Sequence, residues 1–178
     1  MARFLGIVFV SAVIGYISLS QEILWINVMN YITGTNPRVF GYVLGWFLIG
    51  IAFGSLTGKK VCEKGAFNPI SFMASVISLS ALMYYCSLPM SSMLIAYSPK
   101  YGMLLSYFFV SIIAFLSGIL FPLLSHIGIK KKDTVGISMS WIYSANIVGS
   151  TAGPLFTSFV LLDHIGLEQA FLVISILT

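Results

Sequence analysis

The sequence predicts an all-α, polytopic membrane helix bundle, and three observations predict it. Only 8% of the residues are charged and the mean hydropathy is +1.00, whereas soluble domains run near 25% charged. The nine basic and five acidic residues fall between long uncharged tracts that approach or exceed the ~20 residues needed for one crossing. Lysine and arginine are also divided unequally between the two ends of those tracts, as expected of a chain oriented in a bilayer. The whole of 1–178 reads as a single transmembrane domain. A soluble catalytic domain of about 100 residues or more does not fit beside six crossings.

The elements follow in order. Phe4–Gln21 and Ile23–Pro37 are separated only by Glu22, too long together for one upright crossing and too short for two. They predict one long or tilted helix over 4–32, stopped by Thr33-Gly34-Thr35-Asn36-Pro37. A second helix is expected over 39–58 and a third over 67–88, followed by a loop bracketed by Pro89 and Pro99. The fourth is expected over 101–125 and the fifth over 135–161. A sixth starts near Gly166 and reaches Thr178, about 20 Å of rise against a bilayer core of about 30 Å. The reading favoured is a truncated piece of something longer, the alternative being a chain that ends within the membrane.

With the N-terminus in the cytoplasm of a cell with an inner membrane, the inside carries Arg3, Lys59, Lys60, Lys64, Lys130, Lys131 and Lys132. The outside carries Arg38 and Lys100. The lysine clusters therefore serve orientation, with lipid headgroup binding as the alternative. No soluble basic patch is left for nucleic acid. Ser18-Leu19-Ser20 loosely resembles a signal-peptide cleavage site, but the apolar chain resumes at Ile23. Cys62 in the inner loop and Cys86 near the outer end of the third helix lie too far apart for a disulfide. His126 and His164 are likewise on opposite faces, so no metal and no cofactor is expected.

Small residues four apart let helix backbones approach in lipid. Gly41 and Gly45, and Gly50, Gly54 and Gly58, point to nearly opposite faces of the second helix, which predicts neighbours on both sides. Ala145, Gly149 and Gly153 form a similar stripe on the fifth helix, and Ser11, Gly15 and Ser18 one on the first, continued by Glu22. Packing is one reading of these stripes and a substrate-lining face the other. Pro122 and Pro154 are expected to bend their helices and to free the carbonyls of Gly118 and Ser150.

Glu22 is the most informative residue. A carboxylate near the middle of a membrane helix costs about 2.5–3.5 kcal/mol on insertion scales and marks a functional site by default. Its functional reading is a cation or proton site; its structural reading is a carboxylate paired within the bundle or near the headgroups. Trp25 and Trp46 could add cation–π contacts to a bound amine, or pack. Asn27 points about 140° away from Glu22. Asn146 in Tyr143-Ser144-Ala145-Asn146 wants an interhelical hydrogen bond.

Gly15-Tyr16-Ile17-Ser18-Leu19-Ser20-Gln21-Glu22-Ile23-Leu24-Trp25, together with Leu120-Phe121-Pro122-Leu123-Leu124 and Tyr143-Ser144-Ala145-Asn146, resembles the membrane portion of the fused major-facilitator-like/spermidine-synthase-like proteins of bacteria. The resemblance implies a major-facilitator-like half, a Glu-x-x-Trp element at Glu22 and Trp25, and a link to polyamine chemistry. Where that family carries an arginine two residues after the tryptophan, this chain has Asn27. The aminopropyltransferase-like domain has no counterpart here, so its activity does not carry over. What remains is a module that binds or moves a small, in the sharper version cationic, substrate, or that holds a soluble partner enzyme or a second copy. A purely structural bundle is the alternative. An intramembrane enzyme is disfavoured, since no paired carboxylates and no serine with a matched base are seen.

Overall fold

In lipid each backbone N–H must find its partner within its own segment, so apolar tracts become helices. The computed structural model describes residues 2–65, 68–129 and 135–178, except for the side chains of residues 2 and 3. It forms α1 (Ala2–Thr33), α2 (Arg38–Lys64), α3 (Pro69–Tyr97), α4 (Pro99–Gly128), α5 (Val135–His164) and α6 (Leu167–Leu177). The first five are long and apolar enough to cross a membrane; α6 is shorter. A π-turn, Thr157–Leu161, interrupts α5 just after Pro154. Arg3 has no described side chain, and Lys130, Lys131 and Lys132 lie outside the described residues, so their part of the charge asymmetry is not seen here.

The connections are tight and chemically legible. Gly34 (φ 68°) and Thr35 (φ 63°) close α1 in left-handed conformations, with Thr35 N–H donating to Asn30 O at 2.8 Å. Gly65 (φ 59°) ends α2, where only glycine is free of a Cβ penalty. Asn68 Oδ1 caps α3 by accepting from Ile70 N–H. Ser98 alone joins α3 to α4, with Pro99 at the first helical position, where its missing donor costs nothing.

Three expectations are corrected here. No loop forms between Pro89 and Pro99, because α3 continues through Pro89 to Tyr97. One lost backbone donor does not end a membrane helix when nearby hydroxyls and neighbouring helices compensate. Ser87 and Ser92 tie down the neighbouring carbonyls of Tyr84 and Pro89, while the Tyr85 carbonyl loses its helical donor to Pro89. Cys86 therefore sits in the interior of α3. Likewise Lys59, Lys60, Cys62 and Lys64 belong to the last turns of α2, not to a loop.

The bundle is held by two parallel helix pairs. On α2, Gly50 lies against Ser111 and Ala114 of α4, Gly54 against Phe115 and Gly118, and Gly58 against Ile119 and Pro122. On α5, Gly149 lies against Ala12 of α1, and Gly153 against Tyr16 and Ser20. In both pairs a glycine faces a backbone carbonyl directly, the close approach that small residues permit. The third correction follows. A methyl group added at Gly41 or Gly45 would meet nothing within 4 Å among the described residues, so α2 is packed closely on one glycine face only.

The two pairs share one register. Gly50 and Gly54 become Gly149 and Gly153, while their partners Ser111 and Phe115 become Ala12 and Tyr16; each counterpart is 99 positions away (149 − 50, 153 − 54, 111 − 12, 115 − 16). The next turn keeps the step: Gly58 meets Ile119, and Thr157 meets Ser20. The contacts of α2 with α4 are thus repeated 99 positions away by those of α5 with α1, an inverted arrangement of α1–α3 and α4–α6 in which α6 (11 residues) answers only the start of α3 (29 residues). An odd number of crossings inverts the second copy, so α1 runs parallel to α5, the counterpart of α2. Such inverted repeats are the architecture of many secondary transporters.

Candidate functional site

On α1 the line of contact with α5 passes from Ser11, whose Oγ donates to Ile142 O at 2.8 Å, and Gly15 to Tyr16 and Ser20. Ser20 Oγ accepts from Thr157 Oγ1 at 3.0 Å inside the core. Two residues turn a helix by 200°, so Glu22 points about 160° away from Ser20 and is left off that contact. It is half-buried and makes no hydrogen bond or ion pair among the described residues. The other acids among the described residues, Glu63, Asp163 and Glu168, stand near the ends of helices.

Beside Glu22 a polar and aromatic cluster joins α1, α3 and α6. Gln21 is fully buried, its Nε2 donating to Thr178 Oγ1 at 3.3 Å. Phe171 of α6 stacks on Tyr84 of α3, with centroids 4.8 Å apart and planes at 9°. It also meets Trp25 of α1 edge-on at 5.6 Å. Gln21 Oε1, Trp25 Nε1 and Tyr84 OH are buried without a hydrogen-bond partner among the described residues. An enclosed polar atom left unpaired costs about 1–3 kcal/mol, so three near one aromatic stack form a polar node within an apolar core.

The residues singled out from the sequence do not form one site. Trp25 is buried in this cluster, whereas Trp46 is partly buried at the edge of the same hydrophobic core. Asn146 lies over Gly15, seven residues before Glu22, or about 10 Å along the axis. Its side chain makes no hydrogen bond among the described residues. Asn27 Nδ2 donates back to Ile23 O. Pro122 and Pro154 lie inside α4 and α5. The Gly118 carbonyl that Pro122 frees accepts from Ser55 Oγ of α2 at 3.4 Å. Among the described residues no three His, Cys, Asp or Glu side chains come together as a metal site.

Sequence reasoning passed over Gln21, Tyr84 and Phe171. A signal was present on α3, where Ser80, Tyr84, Ser87 and Ser91 recur at helical spacing and are all buried. Comparison of the chain with protein-family models, with curated proteins and with solved structures finds no match.

Proposed function

We propose that this chain is an integral-membrane module that binds or moves a small cationic substrate, with Glu22 as the charge that recognises it. The observation that carries the reading is the half-buried, unpaired carboxylate of Glu22 in the body of a membrane helix. Such a group is retained at a cost and serves ions, protons or ligands by default. The inverted three-helix repeat supports a transporter-type module. The resemblance to the membrane portion of spermidine-synthase-like proteins supports an amine as the cation, and an inner membrane with the N-terminus in the cytoplasm as its setting. Holding a soluble partner enzyme at the cytoplasmic face is compatible with the same reading.

The test is titration of the purified protein in detergent with spermidine, wild type against Glu22→Gln. A charge-assisted hydrogen bond is worth about 1.5–3 kcal/mol, so the substitution should weaken binding by about tenfold or more. Absence of saturable binding, or equal binding by Glu22→Gln, overturns the proposal. A lower melting temperature for Glu22→Gln with no ligand effect would assign the residue to packing instead.

A further inference from the structure

At the end of the bundle that carries the Thr33–Arg38 and Ser98 connections, α1, α3 and α6 enclose a partly open cavity of about 680 Å³. That volume lies within the range of small-molecule sites, ~300–1,000 Å³. Its wall is mostly apolar, with Leu88 and the aromatic rings of Tyr31, Tyr85 and Phe171. Glu168, in the first turn of α6, puts a carboxylate at the cavity. No lysine or arginine is among the described residues that line it.

Ser91 is the second, independent observation. Serine and threonine in membrane helices return their hydroxyls to the carbonyl four residues back, as Thr33, Ser55, Ser75, Ser106, Ser140 and Thr151 do here. Ser91 does not. It is 1% exposed, its Oγ has no partner among the described residues, and it stands on the cavity wall. Pro89, on the same wall, frees the Tyr85 carbonyl from its helical donor. The cavity thus combines apolar volume, aromatic faces, an unpaired hydroxyl and one negative charge.

We propose that this cavity is a binding site for a lipophilic organic cation, an aromatic or alkyl body carrying a single positive charge. The apolar wall takes the body by the hydrophobic effect. The carboxylate of Glu168 and the rings of Tyr31 and Tyr85 take the charge, and Ser91 offers a polar contact inside. A zwitterionic or anionic phospholipid suits the cavity poorly, because its phosphate would meet a carboxylate and no basic side chain. Glu22 does not line the cavity, so this site stands apart from the proposed spermidine site.

The experiment compares two ions of the same shape, tetraphenylphosphonium and tetraphenylborate, binding to the protein in nanodiscs of neutral lipid, with empty discs as blank. Saturable binding of the phosphonium and none of the borate is expected. Glu168→Gln should weaken it about fivefold, and Ser91→Leu, which fills the wall, should abolish it. Glu22→Gln should leave it intact, which separates failure here from failure of the spermidine reading. Thermal melts check that each variant is folded; Glu168 is exposed, so that variant carries the test even if Ser91→Leu misfolds. Phosphonium binding no greater than to empty discs, equal binding of the borate, or full affinity in a folded Glu168→Gln overturns the proposal.

Discussion

Gly118→Ala tests the packing of α2 against α4 most sharply. A methyl group at Gly118 would lie 2.6 Å from Ile51 O and 2.9 Å from Ile51 Cα, where ordinary contact begins at 3.4 Å. These are backbone atoms, so no side chain can swing aside. The helices must part by about 0.8 Å to restore normal contact. The Ser55 Oγ–Gly118 O bond, already 3.4 Å long, would then stretch to about 4 Å, beyond bonding range. That strands the carbonyl that Pro122 leaves without a donor. Overpacking costs about 1–3 kcal/mol, and an interhelical hydrogen bond in a membrane is worth about 0.6, at most 1.7 kcal/mol. Together, less the up to about 1 kcal/mol that a glycine-to-alanine change gains in helix propensity, these predict a loss of about 1–4 kcal/mol. Gly41→Ala and Gly45→Ala meet nothing within 4 Å and gain helix propensity of up to about 1 kcal/mol, so they should be neutral or stabilising. Equilibrium unfolding in mixed micelles, followed by circular dichroism, gives all three values. A Gly118→Ala protein as stable as wild type, or a Gly41→Ala protein damaged as badly as Gly118→Ala, would refute the one-sided packing of α2.

Two further outcomes follow from buried polar groups. In a double-mutant cycle of Ser20→Ala and Thr157→Ala, the hydroxyl pair between α1 and α5 should show a coupling of about 0.6–1.7 kcal/mol; zero coupling would mean that the bond is not made. Tyr84→Phe removes a buried hydroxyl that has no partner among the described residues, so stability in detergent should hold or rise, by up to about 1–3 kcal/mol. A clear loss would reveal a partner for that hydroxyl.

Much of the fold was legible because charges punctuate the chain. The positions of all six helices follow from them, and Gly50/Gly54/Gly58 and Gly149/Gly153 stand where the helix pairs meet. Gly41/Gly45 reads the same in sequence yet faces open space, since a small-residue stripe records permission to pack and not the presence of a partner. Pro89 misled because proline ends helices in water but not among membrane helices. The repeat was hidden for a related reason. What the two units must share is small size at the contacts, so Gly50 and Gly54 recur as Gly149 and Gly153 while Gly58 recurs as Thr157 and Tyr16 as Phe115. At the candidate site, Glu22 was visible as a charge out of place. The cluster around Phe171 was not, because Gln21, Tyr84 and Phe171 come from three helices and meet only through tertiary packing.

The 99-residue repeat also bears on how the chain is threaded during synthesis. A unit with three crossings, copied in tandem, must enter the membrane upside down the second time, and nothing in its glycine contacts opposes the wrong orientation. The discrimination lies in residues that the packing does not use. Lys59, Lys60 and Lys64 end α2, whereas their counterparts 99 positions on are Ser158, Phe159 and Asp163. Two units alike in backbone register thus carry different labels at equivalent ends, and lysine is the label that insertion machinery reads. Divergence in charge at these ends lets one architecture be laid down in both directions within a single polypeptide.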